Sequence, residues 1–122
     1  GRRLGTDKKG QNPVSIIISY IEKHIDDEGI SLKWLSDNVV YMDAGYLSKL
    51  FVKETGIRFS DYLSRMRIEH AKSLMKLYDS STVQEIAEKS GFGDNPRYFS
   101  QVFRKYEKMT PSEYLAKQRG QR

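Results

Sequence analysis

The chain has no cysteine in its 122 residues, only three prolines, one tryptophan and two histidines. Without thiols, disulfides and thiolate metal sites are excluded. The two histidines, His24 and His70, fall on separate helical patterns, and no HExxH, Walker or GxGxxG spacing occurs. No catalytic residue, metal ligand or cofactor is therefore expected, and an enzyme is set aside. No apolar run reaches membrane-spanning length, since Ile16-Ile17-Ile18 is cut off by Ser19. Gly1-Arg2-Arg3-Leu4 leads into polar residues rather than the apolar core of a signal peptide. These two absences point to the cytoplasm and to no membrane partner. Few prolines and few long β-branched runs favour helix over sheet.

What is present is a moderate excess of positive charge, 21 Lys and Arg against 16 Asp and Glu, for a formal +5. That balance is compatible with a polyanionic partner, and equally with a mildly basic surface. The length suffices to bury a core without staples. The chain begins without Met, and Gly1 to Gln11 is basic, glycine-containing and unpatterned. It is read as a linker at the start of a piece of a longer protein.

The most informative feature is a repeat. Ser31-Leu32-Lys33-Trp34-Leu35-Ser36, a turn and Tyr46-Leu47-Ser48-Lys49-Leu50-Phe51 are echoed by a second copy. That copy is Thr82-Val83-Gln84-Glu85-Ile86-Ala87, a turn and Tyr98-Phe99-Ser100-Gln101-Val102-Phe103. The offset is 51 before the turns (Leu35 onto Ile86) and 52 after them (Phe51 onto Phe103), so the second turn carries one extra residue near Gly93-Asp94. Each copy reads as a capped short helix, a tight turn and a second helix, the helix-turn-helix pattern.

Start and stop signals frame the rest. Asn12-Pro13 opens a first helix with Val14, Ile17, Ile18, Ile21 and Ile25 on one face, ended by Gly29. Ser31 and Asp43 cap the two helices of the first copy, and Gly56 stops the second of them. Tyr46, Leu47, Leu50 and Phe51 lie on or near the inner side of that helix. A long helix runs from about Ser60 to Leu77, with Phe59, Tyr62, Leu63, Met66, Ala71, Leu74 and Met75 at helical spacing. Arg67 and Glu69 read as an exposed or bridging charge pair upon it. Asp79-Ser80-Ser81 breaks it, and Ser81 or Thr82 caps the next helix. Asn95-Pro96 repeats the opening signal, and Thr110-Pro111 opens a last short helix.

The outer faces of the second helices are the candidate binding surface. On the first, Gly45, Ser48 and Lys49 precede Lys53; on the second, Arg97, Ser100 and Gln101 precede Arg104 and Lys105. Short or polar residues come early and cations late. N-terminal positions of a recognition helix approach base edges, and later cations meet phosphates. Gly45, Ser48, Lys49, Arg97, Ser100 and Gln101 are thus the base-contact candidates. Lys53, Asn95, Arg104 and Lys105 are the phosphate candidates, Asn95 being a helix cap first. The competing reading is a plain solvated face. Tyr46 and Tyr98 read as partly packed aromatics, and Trp34 as either a surface anchor or packing against the long helix. A protein-docking module anchored on Trp34, Tyr41 and Tyr78 is the alternative function.

Taken together, these residues resemble the AraC/XylS family of bacterial transcription regulators. Its carriers are Tyr46 through Gly56, Tyr62-Leu63, Arg67-Ile68, Ala71-Lys72, Ile86-Ala87, Gly91-Phe92, Tyr98 through Lys105, and Met109 through Tyr114. The resemblance implies an all-α module of seven helices, two helix-turn-helix subdomains joined by a long central helix. It implies sequence-specific double-stranded DNA binding through adjacent major grooves of a bipartite promoter site. It also implies a missing upstream receiver or ligand-sensing domain, with the second unit most like response regulators of two-component systems, and RNA polymerase as a further partner. The expected organisation is a tail over 1–12, a first subdomain over 13–57, the connecting helix over 58–79, a second subdomain over 80–118 and a tail over 119–122.

Overall fold

A computed structural model describes residues 12–78 and 81–120. The expected linker up to Gln11, the break at Asp79-Ser80 and the last two residues lie outside them. Among the described residues there are seven helices and no strand. They are α1 (Pro13–Lys23), α2 (Leu32–Asn38), α3 (Ala44–Thr55), α4 (Phe59–Leu77), α5 (Val83–Lys89), α6 (Pro96–Glu107) and α7 (Pro111–Gly120).

The boundaries follow from local chemistry. Asn12 Oδ1 accepts from the Val14 N–H at 2.9 Å, and Pro13 fills the first helical position, where no N–H is needed. Ser31 Oγ accepts from Trp34 N–H at 3.0 Å, and Asp43 Oδ2 from Tyr46 N–H at 2.9 Å. Gly56 ends α3 in the left-handed region, φ 85°, which glycine enters without a Cβ clash. At α5 the cap is Thr82 rather than Ser81. Its hydroxyl accepts from Glu85 N–H at 3.1 Å while Glu85 Oε1 accepts from Thr82 N–H at 2.8 Å. Thr110 and Glu113 form the same reciprocal pair at the head of α7.

Those two pairs carry a pH dependence. The backbone N–H of Thr82, helped by its side chain, holds the Glu85 carboxyl below the ordinary glutamate range, and Thr110 does the same for Glu113. A carboxyl with a lowered folded-state pKa stabilises the fold above its unfolded value, and that contribution is lost as pH falls through the folded value. Urea unfolding across the acidic range should therefore show a shallower acid loss in Glu85→Gln than in the parent. Parallel curves would remove the capping carboxylate from the account.

The chain forms two compact units. Among the described residues, the first comprises 12–24 with Gly29–Leu63, the second Ile25–Glu28 with 64–78 and 81–120. In the first, α1 and α2 pack on α3. Its core contains Val14, Ile17, Ile21, Leu35, Leu47 and Phe51, with Phe59 and Leu63 from the start of α4. Phe51 meets Phe59 and Tyr62 edge-on, at centroid distances of 5.6 and 5.3 Å. In the second, α5 and α7 pack on α6 around Ile68, Ala71, Met75, Ile86, Ala87, Phe92, Phe99, Val102, Phe103 and Leu115.

Four expectations are corrected. α1 stops at Lys23 rather than running to Gly29, and His24 closes it by donating to the carbonyls of Tyr20 and Ile21. The residues beyond are Asp26, Asp27 and Glu28, whose charge opposes the negative end of a helix dipole. Ile25 is therefore not on the α1 face; it is buried in the second unit. Arg67 and Glu69 do not pair, because residues two apart on a helix point apart. Glu69 bonds Lys72 at 3.2 Å instead, and Lys72 also bonds Glu107 on α6. Finally, Tyr46 is exposed at 58%, not turned inward.

Candidate nucleic-acid interface

The second helix of each pair is held by one face and leaves the other in solvent. On α3, Leu47 and Phe51 are fully buried, and Gly45, Ser48, Lys49 and Lys53 are exposed. On α6, Phe99 and Phe103 are fully buried and Val102 is 9% exposed. Arg97, Gln101, Arg104 and Lys105 are exposed, with Ser100 half-buried beside them. Positions 97, 101, 104 and 105 recur at four, seven and eight residues, the spacing of one helix face. The structure thus brings the candidates of each helix onto that helix's free face.

Three candidates have a second engagement. Asn95 is exposed, but its Oδ1 already accepts from Tyr98 N–H at 3.1 Å as the cap of α6. A Cβ added at Gly45 would stand 3.1 Å from Asp43 Oδ2, so this glycine also leaves room for the cap of α3. Lys105 Nζ lies 5.4 Å from the Tyr106 ring centre. Among the described residues, no carboxylate is within ion-pair distance of Lys49, Lys53, Arg97, Arg104 or Lys105. Such cations hold mobile counterions, whose release drives binding to a phosphate backbone.

Other candidates fall into place. Trp34, 39% exposed, has its ring 5.5 Å from that of Tyr20 on α1. Tyr98, 49% exposed, contacts Phe92 at 5.9 Å. His24 is a helix cap with its ring 4.3 Å from Tyr20. Among the described residues no group of three or more His, Asp or Glu could hold a metal ion, and no helix is long and apolar enough to cross a membrane.

The first turn holds what sequence reasoning missed. In the second turn, Gly91 (φ 89°) and Gly93 (φ 61°) supply the left-handed conformations. The first turn has no glycine, and Tyr41 takes φ 53° while 78% exposed. Arg67 is the other omission. Its Nη2 donates to the Asp27 carbonyl at 2.9 Å, and its guanidinium carbon lies 5.9 Å from the Phe92 ring centre. Burial pulls its pKa below the ordinary arginine range, partly offset by Tyr98, Asp27 and Glu28. The glycines opposite it were the available signal, but nothing in sequence pairs them with residues 25–28.

The sequence profile of a helix-turn-helix domain family, AraC-type, matches residues 38–117. The chain belongs to the AraC-type helix-turn-helix family. It is 46% identical over 114 residues to the transcriptional regulatory protein YesN of Bacillus subtilis, covering 93% of this chain and 31% of that protein. A second relative, the HTH-type transcriptional regulator YijO of Escherichia coli, is 44% identical over 117 residues, with 39% of its length covered. The chain therefore spans about a third of the length of these two relatives. Among solved structures, it resembles the C-terminal domain of the two-component response regulator yesN from Fusobacterium nucleatum. The TM-score is 0.75 at 40% identity, covering 81% of this chain and 93% of that one. This AraC-type chain is thus an all-helical domain of the kind found in YesN-like transcriptional regulators.

Proposed function

We propose that this domain reads a bipartite promoter site in double-stranded DNA, with α3 and α6 entering adjacent major grooves. Base contacts come from Gly45, Ser48, Lys49, Arg97, Ser100 and Gln101, and phosphate contacts from Lys53, Asn95, Arg104 and Lys105. The carrying observation is the pair of exposed helix faces whose cations have no carboxylate within ion-pair distance among the described residues. In this reading the domain is the output module of a cytoplasmic two-component response regulator. An upstream receiver domain supplies the input, and RNA polymerase is a second partner. The likeness to a response-regulator domain supports the first of these.

Both reading helices lie in one chain, so a single molecule should select a non-palindromic site with half-sites roughly 10 bp apart. Selection from random duplexes, followed by gel shift of the enriched sequence, tests this; enrichment of no sequence would sink it. The phosphate roles have their own signature. Replacing Lys53 or Lys105 by Ala should weaken binding to all duplexes alike and reduce the slope of log affinity against log salt by about 0.9 per lost contact. An unchanged slope would reassign those lysines to the solvated surface.

A further inference from the structure

Residues 25–28 lie between two helices of the first unit yet pack with the second. They cross the turn that precedes α6. A Cβ at Gly91 would collide with the Ile25 carbonyl and crowd the Arg67 guanidinium, and one at Gly93 would overlap the Glu28 carboxylate. Arg67 closes this arrangement from the α4 side. Its Nη2 reaches the Asp27 carbonyl at 2.9 Å while its guanidinium faces Phe92 at 5.9 Å. Phe92 in turn meets Tyr98 at 5.9 Å and Phe99 at 5.0 Å, both in the first turn of α6.

We propose that Arg67 is a positioning residue for the second reading helix. It clamps residues 25–28 over the Gly91–Gly93 turn and, through Phe92, fixes where α6 begins. The inserted turn residue makes this necessary. A turn with two left-handed glycines has wide backbone freedom, and a recognition helix reads bases only from a defined start. Methionine or lysine matches arginine's length roughly, but neither bonds the Asp27 carbonyl while spreading a planar cation over Phe92.

This inference rests on α6 reading DNA, so two measurements separate the failures. The first compares base-preference profiles of the parent, Arg67→Met, Arg67→Lys and Gly91→Ala, each checked for cooperative unfolding. The base pairs belonging to α6 are those whose preference Arg97→Ala relaxes, and those of α3 are found with Lys49→Ala. Arg67→Met and Gly91→Ala should lose roughly fivefold or more discrimination at the α6 pairs and keep it at the α3 pairs, with Arg67→Lys in between. Equal loss at both, or an unchanged profile with only a lower Tm, would overturn the proposal. The second needs no DNA: amide hydrogen exchange at residues 91–99 should accelerate in Arg67→Met more than exchange in the middle of α6. Uniform acceleration, or none, would overturn it even in a chain that selects no duplex.

Discussion

Replacing Phe103 by Ala should cost about 3–5 kcal/mol of stability, the range for deleting a large buried aromatic. The ring is fully buried. It lies edge-on to Phe99 at 5.7 Å and to Tyr114 of α7 at 5.4 Å. Each such aromatic pair adds about 0.5–1.5 kcal/mol beyond the area it buries. A domain of this size has roughly 5–15 kcal/mol in all, so the change removes about a fifth or more. α6 owes its placement to this one face, because its other face is polar and solvated. Urea unfolding monitored by far-UV circular dichroism measures the loss. Val52→Ala on α3, where the side chain is 40% exposed, is the control and should stay within about 0.5 kcal/mol. A Phe103→Ala loss under 1 kcal/mol would mean that α6 is anchored by something other than its buried stripe.

The same contrast explains what the sequence made legible. Apolar residues at helical spacing, and a capping residue before every run but that of α4, are local signals, and they located all seven helices. Leu47, Phe51, Phe99 and Phe103 were readable as core because their spacing matches one face of a short helix. The candidate face was readable for the complementary reason: what is not on the stripe is outside. Ile68 escaped, although it is buried at 1% exposure; its helix turns from one unit's core to the other's, so one continuous stripe does not describe it. Residues 25–28 escaped because their partners are about forty to sixty-five positions away along the chain and contribute carbonyls and glycines, which carry no periodic signal. Tyr41 escaped for a steric reason. The repeat leads one to expect glycine where a turn needs positive φ, and the first copy reaches that conformation without one.

Arg97→Ala and Gln101→Ala should each remove about 1–3 kcal/mol of discrimination at one or two base pairs, and should do so differently from the phosphate variants. Arg97 sits in the first turn of α6 and Gln101 one turn further on, both exposed. From Arg97 to Lys105 the helix advances about 12 Å at 1.5 Å per residue, close to the roughly 12 Å width of a major groove. In the proposed docking, with the helix entering by its first turn, Arg97 and Gln101 would stand at the base edges and Arg104 and Lys105 level with the strand at the groove wall. Arginine in that position matches the two acceptors of guanine, and glutamine the acceptor and donor of adenine. Competition with duplexes changed one base pair at a time gives the profile. In Arg97→Ala the preferred and changed sequences should converge at the pair Arg97 reads, with the salt slope falling by less than in Lys105→Ala. Side chains one turn apart couple, so the double variant should depart from the sum of the singles by about 0.5–3 kcal/mol. If instead each variant weakens every duplex by the same factor, the free face of α6 holds the backbone only, and the sequence preference must come from α3 or from the bending of the DNA.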